Sequence, residues 1–157
     1  MDTAELLPTH LTRLVGHWKG VTRTWFVPGK LADESTWEGN FRLVLSGRFV
    51  LYEYSGAIQG DLLEGIALIG YNPNSQAYEM AWADSFHYGS AIMFSVGGEK
   101  SSPLNVLGSY PDPSGGPNWG WRTQIQLEGD NQLAIRHYNI TPQGEEGLGV
   151  ETIYQRQ

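Results

Sequence analysis

Turn-forming residues interrupt this chain roughly every 8–12 residues from Gly16 onward, and that spacing leaves room only for short elements. Val27-Pro28-Gly29-Lys30 places Pro and Gly at the two central positions of a type II turn, and Thr141-Pro142-Gln143-Gly144 suits a type I turn. Ser46-Gly47, Gln59-Gly60-Asp61, Asn72-Pro73-Asn74-Ser75 and Gly129-Asp130-Asn131 are further turns, and the chain breaks again between Ser85 and Gly89. Gly97 to Pro103 and Pro111 to Pro117 are longer loops. These interruptions predict about ten short strands, the pattern of an all-β sandwich or barrel. Twenty Gly and eight Pro in 157 residues exclude an all-α fold, because they cost about 1 and about 3 kcal/mol each inside a helix.

Several intervals have one apolar face. Trp119, Trp121, Thr123, Ile125 and Leu127 alternate with Gly120, Arg122, Gln124 and Gln126; Trp37, Phe41, Leu43 and Leu45 alternate with Glu38, Asn40, Arg42 and Val44; Tyr78, Met80 and Trp82 alternate with Glu79, Ala81 and Ala83. One face inside and one in water is the behaviour of an antiparallel meander, and closing it into a barrel removes both exposed edges. Only the first fifteen residues look helical, with Leu11, Leu14 and Val15 at helical spacing, Thr9 placed to cap and Gly16 to terminate. The expected architecture is one domain over residues 1–157, a single antiparallel β-barrel with a short N-terminal helix (residues 1–15) closing one end.

Charge and cysteine content exclude several functions. Ten Lys and Arg against seventeen Asp and Glu leave a formal charge of -7, and the basic residues are scattered. Nucleic-acid binding needs a clustered positive surface, and anionic lipid repels an acidic one, so neither partner is expected. With no cysteine, disulfides, thiolate metal sites and cysteine nucleophiles are excluded. No basic leader into an apolar run and no stretch of about 18 apolar residues is visible, so the default expectation is a cytoplasmic protein.

Gly16-His17-Trp18, just after the helix, and Tyr154-Gln155-Arg156 at the end of the last strand resemble the calycin arrangement of lipocalins and fatty-acid-binding proteins. That resemblance implies a first-strand Trp packed under a last-strand Arg at the barrel base. The chain is also similar to an uncharacterised bacterial family of lipocalin-like domains. The similarity lies in Leu14-Val15-Gly16-His17-Trp18-Lys19-Gly20, Trp37-Glu38-Gly39, Gly47-Arg48-Phe49-Val50, Ile69-Gly70-Tyr71, Trp82-Ala83-Asp84-Ser85-Phe86-His87 and Tyr138-Asn139-Ile140-Thr141-Pro142. This implies a fold and supplies no catalytic motif.

Six Trp, eight Tyr and five Phe give two readings. Trp37, Phe41, Met80, Trp82 and Trp121 line a cavity for an apolar or amphipathic small molecule, or they fill the core. Asp84, Ser85 and His87 are too close in one turn for a catalytic triad, which leaves Asp84 and His87 as polar contacts at a pocket mouth. His137 follows Leu133 and Ile135 on an apolar face, where an imidazole can meet a ligand or be satisfied by a neighbouring hydroxyl. Alternation turns Arg122 outward, and a bulge near Gly115, Gly116 and Gly120 would turn it inward to clamp a ligand carboxylate. Glu34, Glu38, Glu53, Glu64, Glu79 and Glu151 read as an exposed ladder opposing Arg23, Arg42 and Arg48. The four His show no metal-ligand spacing, and the last strand has no His of the kind that holds haem in a related ten-stranded calycin family; no metal or cofactor is expected.

The expected function is binding of a small hydrophobic or amphipathic molecule inside the barrel, by Trp37, Phe41, Met80, Trp82, Asp84, His87, Trp121, Arg122 and His137. The alternatives are an enzyme using a cavity His and carboxylate as acid and base, and a filled barrel that dimerises through an exposed strand face. The longer loops, 97–103 and 111–117, are candidates for a lid.

Overall fold

The computed structural model describes residues 7–157; the first six residues of the expected plug lie outside them. A single helical turn, α1 (Thr9–Thr12), precedes ten strands: β1 (Gly16–Val27), β2 (Lys30–Val44), β3 (Phe49–Ile58), β4 (Asp61–Asn72), β5 (Ala77–Asp84), β6 (Met93–Gly97), β7 (Leu104–Tyr110), β8 (Trp119–Leu127), β9 (Gln132–Ile140) and β10 (Glu146–Arg156). Each strand pairs antiparallel with its neighbours in sequence, and β1 closes onto β10 to complete the barrel. The turns fall where Gly and Pro predict them. Gly29, for example, takes φ +75°, the left-handed conformation a type II turn requires there.

The start of β1 marks one end of the barrel, and α1 closes it. Leu11 and Leu14 are fully buried, whereas Val15 is half-exposed. Pro8, not Thr9, occupies the N-cap, with no side-chain cap bond; the Thr9 carbonyl instead accepts from the Thr12 hydroxyl. Trp18 donates its indole N–H to the Leu14 carbonyl at 2.9 Å, and the Arg156 guanidinium lies 4.3 Å over its ring. Arg156 also donates to the carbonyls of Arg13, Val15 and Asp130. One last-strand cation thereby ties α1, β1 and the β8–β9 turn together, the closure expected from the calycin resemblance.

Inside, the half of the barrel over β2 and β3 is filled by a column of rings. Phe41 stacks on Tyr52 at 4.2 Å between centroids, Tyr52 on Tyr54 at 5.0 Å, and Tyr54 on Trp37 at 5.4 Å. Glycines make room for it. A Cβ at Gly65, which pairs with Tyr54, would meet that ring at 2.2 Å, and one at Gly56 would meet Trp37 at 2.3 Å. The Tyr52 and Tyr154 hydroxyls satisfy each other at 2.8 Å, and burial pushes the Tyr52 hydroxyl well above its ordinary pKa.

One strand and one loop depart from expectation. Leu43 and Leu45 were expected inside but are exposed. Beyond Phe41, β2 outruns the start of β1 and has no partner on that side, and Leu45 sits in the following turn at φ +51°. Loop 97–103 lies at the closed end, where Ser101 and Ser102 bond to His10 and Tyr78, so it is no lid for the open end. The outer ladder forms with Arg23 facing Glu34, Arg42 facing Glu53 and Lys19 facing Glu38; Arg48 takes no ion pair among the described residues.

Candidate functional site

Inward positions of β5, β8 and β9 place Trp82, Trp121 and His137 together near the open end. Their ring planes are within 23° of parallel, with centroids 5.4 to 6.3 Å apart. The fourth ring comes from the segment that joins β5 to β6. Residues 85–92 fold across the barrel mouth: Phe86 stacks at 6.5 Å on Phe26 of β1, and Tyr88 meets Tyr110 of β7 edge-on. Between these anchors, His87 comes within 5.8 Å of Trp82 and 6.2 Å of Trp121.

Asp84, the last residue of β5, holds this segment down. Its Oδ1 accepts the backbone N–H groups of Phe86 and His87 at 2.9 and 2.6 Å, an Asx turn of the kind its position suggests. Its Oδ2 accepts the Tyr54 hydroxyl at 2.9 Å and His87 Nδ1 at 2.5 Å. Tyr54 in turn accepts the Trp82 indole N–H at 2.8 Å. Burial alone would raise the Asp84 carboxyl, but the bonds and charge of His87 and the two backbone donors outweigh it, and the pKa falls below the ordinary value. Because a carboxylate occupies Nδ1, that nitrogen carries a proton and His87 presents Nε2 to the pocket.

His137 faces the same space. Its Nδ1 is 2.9 Å from the Thr123 hydroxyl, so a neighbouring hydroxyl satisfies it, though a Thr and not a Tyr. Burial first, then the neighbouring His87, lowers its pKa to about 3, with Asp84 pulling the other way. It is neutral at physiological pH and available as a hydrogen-bonding ring, not as a cation.

The space among these residues has two parts. An inner cavity of about 20 Å³, lined by Trp37, Met80, Trp82, His87, Trp121 and His137 among others, has room for about one water. A mouth pocket of about 120 Å³ lies beside it, lined by Trp82, His87, Tyr88, Met93, Tyr110 and Trp121. That is close to the size of an apolar cavity that accepts benzene. Two buried donor or acceptor atoms of residues that line this space, His87 Nε2 and Trp121 Nε1, have no partner among the described residues. Wider grooves on the outer side of the barrel, up to about 600 Å³, are open to solvent and contain neither atom.

Of the residues expected at the site, Trp37, Met80, Trp82, His87, Trp121 and His137 border the space, and Asp84 positions His87. Phe41 does not, because it stacks beneath Tyr52 deeper in the column. Arg122 does not either: it points outward and pairs with Glu146 at 2.5 Å, and no bulge in β8 reverses its face. Tyr54, Tyr88, Met93 and Tyr110 were missed. The Tyr52–Tyr54 alternation in β3 signals only that Tyr54 points inward, not that it meets Asp84.

No curated protein matches the chain. Among solved structures, the S-type phycobiliprotein lyase CPES from Guillardia theta is similar over 94% of this chain and 90% of its own, with a TM-score of 0.57 and 10% identity. At that identity the likeness is one of fold. Residues 8–156 match the family described as "Protein of unknown function (DUF1579)", and the chain belongs to that family.

Proposed function

We propose that this protein binds one small amphipathic molecule, with a ring-sized apolar body and a polar edge, at the open end of the barrel beneath residues 85–92. The observation that carries this reading is that two residues lining one pocket, His87 and Trp121, each hold a buried polar atom, Nε2 and Nε1, that has no partner among the described residues. Each such atom left without a partner costs about 1–3 kcal/mol. A ligand edge that accepts from the indole and bonds to the imidazole removes both costs. Trp82, Trp121, Tyr88 and Tyr110 supply the apolar walls, and the mouth volume suits one ring and not a fatty-acid chain. The filled column over β2 and β3 is why the reading places the ligand at the mouth and not along the barrel axis. The similar barrel in a protein titled a phycobiliprotein lyase is compatible with a ligand site and carries no ligand identity to this chain.

Strands β6 and β7 share a single registered pair, Val96 with Leu107, whereas β7 and β8 share seven. Met93 of β6 and Tyr110 of β7 both line the mouth pocket.

Native mass spectrometry beside denaturing mass spectrometry, on protein purified gently from a lysate, tests the proposal. The expected result is an added mass that vanishes on denaturation and is absent from Trp121→Ala. An adduct retained by Trp121→Ala would count against this site.

A second reading rests on the Asp84–His87 pair. A carboxylate that fixes the Nδ1 proton and leaves Nε2 facing a pocket is the geometry of a general base, so the bound molecule would be a substrate. His87→Gln would then abolish turnover while binding persists; loss of both together favours the binding reading alone.

A further inference from the structure

The outer surface of the barrel is divided in two. On β1–β3 and β8–β10, outward charges pair across strands: Arg23 with Glu34 and Glu151, Arg42 with Glu53, Arg122 with Glu146, and Arg136 with Glu128 and Glu151. The outward residues of β4–β7 form no ion pair among the described residues; the one pair there, Asp84 with His87, faces the interior. The outward positions there are Ile66 and Leu68 on β4, Phe94 and Val96 on β6, and Leu107 on β7, with 37 to 58% of their surface exposed. Register makes them one field. Ile66 lies beside Ala83, Leu68 beside Ala81, Ala81 beside Phe94, and Val96 beside Leu107.

With Leu62 and Ile92 at its margin, still more exposed, the field presents apolar surface on the order of 700 Å², above the roughly 300–600 Å² of the largest patch on a typical monomer. It approaches the roughly 800 Å² per partner of a standard stable interface. Ala81 and Ala83 leave a trough along β5, flanked by ridges at Ile66 and Leu68 on one side and Phe94 on the other. A two-fold axis through the face would set each copy's Phe94 ridge against the other's alanine trough, two sheets packed face to face. Glu79 lies beside Val96, and Glu64 between Leu62 and Ile66 on the same face of β4; neither is in an ion pair among the described residues, and the net charge of -7 disfavours an anionic lipid surface as the occupant.

We propose that the outer face of β4–β7 is an isologous homodimer interface, occupied by a second copy of this chain. Light scattering coupled to gel filtration tests it on the full chain. The wild type is expected at twice 17.5 kDa. Phe94→Glu, which sets a carboxylate at the centre of the face, is expected to halve that mass while the β-sheet circular dichroism is unchanged. Val21→Glu, at a comparably exposed position on β1, is expected to leave the dimer intact. Should Phe94→Glu lose the fold, Leu107→Glu carries the same test. A wild type that elutes as a monomer overturns the proposal, as does a folded Phe94→Glu or Leu107→Glu that remains a dimer.

Discussion

Asp84 organises the site through four accepted hydrogen bonds, two from backbone and two from side chains. Asp84→Ala leaves the Tyr54 hydroxyl and the His87 N–H without an acceptor in a buried setting. Urea unfolding should therefore show a loss of about 2–4 kcal/mol, with Asp84→Asn, which keeps an acceptor, costing less. A loss below about 1 kcal/mol would mean that the rings of residues 85–92 hold the segment without the carboxylate. His137 makes a separate prediction. Its pKa is about 3 in the fold against an ordinary 6.5, so the unfolded chain takes up a proton below 6.5 that the fold refuses. The stability is complete above that value and falls with pH toward 3, by at most about 1.4 kcal/mol per unit. The Asp84 carboxyl, shifted below 3.8, adds its own loss only under that value. Thermal melts from about pH 7 to about pH 4.5 should fall for the wild type and flatten in His137→Gln; equal slopes would clear His137 of the effect.

At the scale of elements, glycine placement is what lets rings fill half the barrel. Gly65→Ala drives a methyl into Tyr54 at 2.2 Å, whereas a Cβ at Gly149 meets nothing closer than 3.6 Å. Gly65→Ala should cost about 1–3 kcal/mol in chemical denaturation, and Gly149→Ala should stay within about 0.5 kcal/mol. Comparable losses would show that Tyr54 repacks freely. The ten strands were legible because each connection carries Gly, Pro, Asn or Asp in turn geometry. Leu43 was not, because alternation describes a face and is silent on where the neighbouring strand ends. The position of loop 97–103 was readable from parity alone: in a meander, every second connection returns to the end where β1 begins. Tyr54 escaped because its role depends on a register that sets it against Gly65 and on an Asp one strand further on. Arg122 escaped the opposite way: its outward face followed from alternation, but it was still carried as a candidate ligand.

For the whole molecule, one end of the barrel is tied shut by Trp18 and Arg156, one half of its interior is packed with rings, and the remaining space opens beneath a segment pinned by Asp84. The central claim is that this space receives one ring with a polar edge. Indole N–H signals in ¹⁵N–¹H correlation spectra, titrated with single-ring probes such as phenol, benzoate and 2-pyridone, test it most directly. The account predicts that at least one probe shifts the Trp82 and Trp121 signals together and to saturation while the Trp18 signal stays fixed, and that His87→Ala weakens that probe. Saturating shifts at Trp18 without Trp121, or no shift at Trp121 with any probe, would contradict it.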